Sequence, residues 1–199
     1  MIVLGLTGSI GMGKSTTAAF FRQAGIPVWD ADAAVHRLYA KGGLGVAPIA
    51  ALRPEAIRDG TVDRGALKTW IAEDTRALKR LEDVIHPLVA QDRAKFLAAN
   101  EGTDLVVLDI PLLFETGDPA QFDAILVVSI DPETQRSRVL SRPGMSLAQF
   151  ETILARQMPD AEKRARANHV IETRTLEETR KSVEALIEEL RHKNRADDA

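Results

Sequence analysis

The chain contains no cysteine. Disulfides, zinc–thiolate centres and cysteine nucleophiles are thereby excluded, and the composition fits a reducing cytosol. Aromatic residues make up only 5% of the chain against a hydrophobic fraction of 45%, so the core has to come mainly from Leu, Val, Ile and Ala. No apolar run approaches the ~20 residues that span a bilayer. Residues 1–6 are too short for a signal peptide and lack its basic leader. A cytoplasmic location with no membrane partner is therefore expected. Neither sign of charge dominates: 26 basic and 29 acidic residues leave a formal charge of −3, which gives no global reason to bind nucleic acid. A length of 199 residues suits one domain, or one domain with an inserted lid.

What is present alternates between short apolar runs and helical patterns. Residues 2–6 run apolar into Thr7-Gly8, as a parallel strand buried on both faces would. A helix is expected from Lys14 to Ala24, closed by Gly25. Pro27-Val28-Trp29 reads as a second strand leading into Asp30-Ala31-Asp32, with a helix over 33–39 that ends before Gly42-Gly43. Residues 47–100 read as helical, with a turn at Asp59-Gly60 and a kink at His86-Pro87. Further strands are expected at 105–109, 124–130 and 169–172. Charged helical pieces are expected near 132–141 and 147–157, and an amphipathic helix over 175–191, with 194–199 fraying. Trp29 and Trp70 are expected to serve packing. Strands separated by helices indicate an α/β fold with a parallel sheet and helices on both faces. The helical block between strands two and three is larger than a crossover needs. It is expected to be a substrate-side subdomain, 33–100, within a single 1–199 domain.

The clearest motif is Gly8-Ser9-Ile10-Gly11-Met12-Gly13-Lys14-Ser15, a match to G-x-x-x-x-G-K-[ST] between a strand and a helix. Glycines let successive N–H groups turn inward around phosphate oxygens, and the following helix adds its positive end. Lys14 supplies charge for the β- and γ-phosphates, and the Ser15 hydroxyl can ligate Mg²⁺. Asp109 closes the third strand, either as an acid that holds Mg²⁺ directly or through water, or as a cap of the next turn. Asp30 and Asp32 lie at the carboxyl end of the second strand, where open α/β sheets bind ligands. Asp32 either accepts a substrate hydroxyl proton or N-caps the helix starting at Ala33. Arg138 and Arg142 are spaced to share one helix face, with Arg136 opposite. That face would neutralise a transferring phosphoryl or simply be solvated. Arg156, Lys163, Arg164 and Arg166 extend the basic character. His86, next to Pro87, is more often structural than chemical.

Taken together these motifs resemble the dephospho-coenzyme A kinase family. The match rests on the loop from Leu6 to Thr16, on Asp30-Ala31-Asp32, on Asp63-Arg64 with Leu67, on Leu81-Glu82 and on His86-Pro87. It continues through Asp109-Ile110-Pro111-Leu112-Leu113-Phe114-Glu115 and from Pro132-Glu133-Thr134-Gln135 to Arg156-Gln157, so it covers the chain to about Glu172. The resemblance implies a nucleoside-monophosphate-kinase-like P-loop fold with a five-stranded parallel core, a helical substrate subdomain and a lid at 132–157. It implies transfer of the γ-phosphoryl of ATP to the ribose 3′-hydroxyl of dephospho-CoA, with Mg²⁺. Asp32 matches the family's proposed base, Arg142 its lid arginine, and Gly11, Met12, Gly13, Lys14, Ser15 and Thr16 its ATP-contacting loop. Thr7, Gly8, Asp30, His86, Asp109 and Arg138 are further candidates for substrate or phosphate contact. Ser9 and Met12 depart from the family's usual small residues, and 167–173 departs from its usual Asp and Asn types. The rival readings are another small-molecule P-loop kinase, of nucleotide, shikimate or sugar-acid type, and a GTPase-like switch. The switch normally carries an Asn-Lys-x-Asp run, which does not occur here.

Overall fold

The computed structural model describes the backbone of residues 1–197 and side chains to residue 192. In chain order the elements are β1 (Ile2–Thr7), α1 (Lys14–Gln23), β2 (Val28–Asp30), α2 (Ala31–Tyr39) and α3 (Val46–Leu52). Next come β3 (Ile57–Arg58), β4 (Thr61–Val62), α4 (Arg64–Glu73), α5 (Ala77–Ala99), β5 (Leu105–Asp109) and α6 (Leu113–Thr116). The chain ends with β6 (Ala124–Ser129), α7 (Pro132–Leu140), α8 (Leu147–Leu154), α9 (Asp160–Arg166), β7 (His169–Glu172) and α10 (Leu176–Asp197). Two compact units result: Met1–Trp29 together with Asn100 onward, and Asp30–Ala99.

The first unit is built on a five-stranded parallel sheet in the order β2-β5-β1-β6-β7. Every residue of β5 and β6 is buried, which explains why those runs are apolar without alternation. Successive residues still face opposite ways. Leu4, Leu6, Leu105, Val107, Leu126 and Val128 join Phe20 and Phe21 of α1 and Val183, Leu186, Ile187 and Leu190 of α10 in one cluster. Ile125 and Val127 join Leu113 of α6 in another, with Phe122 packed against it. The spacing 183, 186, 187, 190 is a single helical stripe and is the reason α10 lies on the sheet. Gly5 has to be glycine for packing: an added Cβ would come within 2.8 Å of Leu113 and 2.9 Å of Phe122. Arg191 Nε donates to Asp104 Oδ2 at 2.6 Å, and this bond holds the Asp104 carboxyl below its ordinary pKa. The closing helix runs past the expected Arg191, and the fraying expected over 194–199 reaches beyond the described residues.

The second unit has its own core of Leu38, Tyr39, Ile49, Val62, Leu67, Trp70, Leu81 and Ile85. It corrects the all-helical expectation for 47–100. Ile57↔Val62 and Arg58↔Thr61 pair as an antiparallel hairpin around Asp59-Gly60. Both turn residues have positive φ, 51° and 77°, the combination that matches the twist of a two-residue hairpin. Pro87, where a kink is expected, lies inside α5, and the helix runs on to Ala99. The Arg80 guanidinium sits 5.4 Å from the centre of the buried Trp70 ring, so Trp70 is a packing residue.

Phe21 is fully buried between α1 and α10, so Phe21→Ala should lower unfolding free energy by about 3–5 kcal/mol in urea titration. The depressed Asp104 carboxyl contributes stability that is present above its unfolded pKa and is lost as pH falls through the folded value. Asp104→Asn should therefore flatten the acid side of a Tm-against-pH curve and leave the alkaline side unchanged.

Candidate functional site

The glycine-rich loop leaves β1 after Thr7 and enters α1 at Lys14. Gly11 and Gly13 have φ of 81° and 88°, a region other residues avoid. Space is equally restrictive. A Cβ on Gly8 would lie 2.5 Å from Val128, one on Gly11 2.5 Å from Val139, and one on Gly13 2.8 Å from Thr173 Oγ1. Gly13 is also the N-cap of α1, and no side chain caps that end. Among the described residues no acceptor is assigned to the amides of Gly13, Lys14, Ser15 or Thr16. An Asn, Ser or Asp cap would have used these donors internally. An open helix start is instead a ready site for anionic oxygens.

Three contacts fix the loop from outside. The Ile10 N–H donates to Gln157 Oε1 at 3.0 Å, and the Ile10 carbonyl accepts from Gln135 Nε2 at 2.7 Å. The Met12 carbonyl accepts from Thr173 Oγ1 at 2.9 Å. Thr173 is itself held by Arg138, whose Nη1 donates to its Oγ1 at 2.9 Å and whose Nη2 donates to its carbonyl at 2.6 Å. Met12 thus occupies a supporting place, with its side chain buried and its sulfur 3.1 Å from the Ile130 amide.

Lys14 Nζ pairs with Asp109 Oδ1 at 2.5 Å, with the aspartate side chain 2% exposed. Loop lysine and strand-end acid thus meet, a contact that the sequence reading of Asp109 as a metal-holding acid or a turn cap did not include. Asp109 is the last residue of β5, which lies beside β1, so strand order alone brings the carboxylate to the loop. Ser15 is exposed at the helix start. Thr7 is buried, and its hydroxyl donates to the Pro111 carbonyl at 3.1 Å, away from a ligand role through that hydrogen. Among the described residues no group of three or more His, Asp or Glu side chains gathers to hold a metal. Ser15 Oγ and Asp109 are oxygen donors at the loop. A hard cation there would take its remaining ligands from phosphate and water, as Mg²⁺ commonly does.

The basic helix face does not form as the spacing suggests. Helix α7 stops at Leu140, and Arg142 lies beyond its cap in the turn, exposed. Arg142 precedes Pro143, which pushes it away from helical torsions. Arg138 is engaged with Thr173 and, at 3.3 Å, with the Arg174 carbonyl. Arg136 and Arg142 are both exposed but do not lie on one helix.

The second unit carries a depression of about 710 Å³. Asp30, Asp32, Val35 and His36 line one side of it. Arg64, Leu67, Lys68 and Ile71 line the other, a single i, i+3, i+4, i+7 stripe of α4, and Leu81 of α5 joins them. Asp30, and not Asp32, is the cap of α2: its Oδ1 accepts the Ala33 N–H at 2.9 Å. The helix starts at Ala31, two residues before the expected Ala33, and Asp32 stands in its first turn with its carboxylate exposed at the depression. His86 is exposed on α5 and does not line the depression. Lys68 was not singled out from the sequence; the α4 stripe that carries it was the available signal.

A glycine loop opening an uncapped helix, with its lysine against a strand-end aspartate in a parallel sheet, defines a P-loop kinase fold. The chain matches the dephospho-CoA kinase family model over residues 2–178. It is 64% identical to the dephospho-CoA kinase of Cereibacter sphaeroides over 188 residues, 94% of this chain and 95% of that protein. A solved structure from Thermus thermophilus is 39% identical with a TM-score of 0.81, covering 95% of this chain and 97% of that one. The dephospho-CoA kinase of Campylobacter jejuni, at 21% identity and a TM-score of 0.65, covers 94% and 96% and has the same fold. The chain belongs to the dephospho-CoA kinase family, and it is a kinase.

Lys14→Ala should reduce turnover by more than about a hundredfold in a coupled assay, because a charge contact to a transferring phosphoryl is worth ~3 kcal/mol or more. Gly13→Ala should also lose activity, since it meets both the Thr173 contact and the positive φ. Gly25→Ala, which has positive φ but no neighbour within 4 Å, should cost only stability, readable as a lower Tm.

Proposed function

We propose that the protein transfers the γ-phosphoryl group of ATP to the ribose 3′-hydroxyl of dephospho-CoA, giving coenzyme A and ADP. The observation that carries this reading is the Lys14–Asp109 pair beneath a glycine loop whose helix begins uncapped, in a chain of this family. The free amides from Gly13 to Thr16 receive phosphate oxygens. Lys14 leaves Asp109 to bind the β- and γ-phosphates. Ser15 and, through water, Asp109 would hold Mg²⁺, which when bound neutralises charge on those phosphates.

The acceptor belongs at the depression of the second unit. Arg64 and Lys68 offer cations to the diphosphate of dephospho-CoA, and Leu67, Ile71 and Val35 offer apolar surface to its uncharged parts. Asp32, freed from capping by Asp30, accepts the hydroxyl proton as the oxygen attacks phosphorus. Arg142, exposed after α7, is suited to meet the transferring phosphoryl when the 132–157 region closes over it.

Asp32→Asn keeps shape and removes basicity. It should retain ATP and dephospho-CoA binding by calorimetry and keep its Tm, while turnover drops by about 10²–10⁴-fold. Full activity would remove Asp32 from the chemistry. A panel of acceptors including shikimate and nucleoside monophosphates should show turnover with dephospho-CoA alone.

A further inference from the structure

Glu115 and Gln157 belong to the motifs that mark this chain, yet neither has a part in the phosphate chemistry above. The structure connects them. Gln157 Oε1 accepts the Ile10 N–H at 3.0 Å. The next residue, Met158, donates its own N–H to Glu115 Oε1 at 2.8 Å. The same oxygen lies 2.8 Å from Lys163 Nζ, and that lysine side chain is 0% exposed. The ammonium is in ionic contact only, outside hydrogen-bond geometry. Glu115 Oε2 is also buried without a partner, as are Ser9 Oγ, beside Ile10, and Asp160 Oδ1, on the same segment as Met158 and Lys163.

Such an arrangement is a poor way to gain stability. A buried ion pair is commonly matched or bettered by apolar side chains of similar volume, and unpartnered buried polar atoms add a penalty. What the charges do here is local. They fix one carboxylate oxygen, that oxygen fixes the Met158 amide, and the Met158 amide sets where the adjoining Gln157 side chain points. The glycine loop needs an external reference of this kind. Among the described residues its internal backbone bond is one turn, Met12 N–H to the Ser9 carbonyl at 3.1 Å. Amides held in place before an anion arrives need no reorganisation to bind it.

We propose that Gln157 is a positioning residue for the phosphate loop, held in register by the buried Glu115–Lys163 pair through the Met158 amide. It acts on nucleotide through Ile10 and touches no phosphate itself. The proposal rests on the ATP-binding reading given above.

Two variants of the full chain test it: Gln157→Met, which removes the acceptor at similar size, and the double change Glu115→Leu with Lys163→Met, which removes both buried charges together. Each is titrated calorimetrically with Mg²⁺ and a non-hydrolysable ATP analogue, and separately with dephospho-CoA. The Ile10 amide is followed in ¹⁵N-isoleucine-labelled protein and identified with Ile10→Val. In both variants the nucleotide Kd should rise about threefold to tenfold, the scale of one lost hydrogen bond. The dephospho-CoA Kd and Tm should stay in place, and the Ile10 resonance should shift. Wild-type nucleotide affinity in Gln157→Met overturns the proposal, as does weakened binding with an unmoved Ile10 amide. A double variant that fails to fold makes the pair a folding element and removes it from the proposal, while Gln157→Met still decides the role of the glutamine. Failure of the wild-type protein to bind the analogue would instead overturn the ATP-binding reading.

Discussion

Lys14 and Asp109 face each other at 2.5 Å, with the aspartate almost wholly withdrawn from water. Removing one partner from such a pair leaves the other as an uncompensated charge, which is far costlier than the pair is worth. The surroundings are arranged around that constraint. Asp109 has to end a strand adjacent to β1, which the order β5-β1 provides. Lys14 has to begin a helix whose N-terminus points into the same space, which Gly13 allows by taking a left-handed conformation no capping residue would favour. In the proposed reaction, a phosphate entering the loop would draw Lys14 away from the carboxylate. Mg²⁺ beside Ser15 would supply, in the same reaction, a second cation near the Asp109 carboxylate.

The loop is shaped less by its own residues than by what stands behind it. Gln135, Gln157 and Thr173 hold its carbonyls and one amide, and Arg138 holds Thr173. These contacts occupy the backbone groups that are not needed for phosphate and leave the helix-start amides open. The glycines serve the same end: Gly8, Gly11 and Gly13 are required as much by Val128, Val139 and Thr173 as by the oxygens they would admit. In the second unit the division of labour between two aspartates follows a similar logic. Asp30 satisfies the α2 terminus, and that leaves Asp32 exposed at the depression.

The sheet was legible in the sequence because its central strands are buried on both faces. The runs at 105–109 and 169–172 emerge with the expected bounds, and the strand from Ala124 ends one residue early, at Ser129. The loop and its acid were legible because glycine, lysine and serine at that spacing have a mechanical reason to occur together. The hairpin at Ile57–Val62 was not, since strands of two residues are too short to show a period; only Asp59-Gly60 hinted at it. The helix face proposed for Arg138 and Arg142 failed on a local signal, Pro143, that outweighs i, i+4 spacing. The clamps on Ile10 are formed by residues 125 and 147 positions away, which no periodicity can reveal. The α4 stripe that lines the depression was visible in principle, since Arg64, Leu67, Lys68 and Ile71 recur at helical spacing.

The fold and the family fix a kinase of the P-loop type, and in the proposed reaction a phosphate displaces Asp109 from Lys14 in a loop already formed. The most direct measurement is a crystal structure with Mg²⁺ and a non-hydrolysable ATP analogue. Lys14 Nζ should lie on β- and γ-phosphate oxygens, no longer within hydrogen-bond distance of Asp109, with the Ile10 and Met12 clamps unchanged. A bound analogue with Lys14 still on Asp109, or with the loop rebuilt around it, would contradict displacement in a preformed loop.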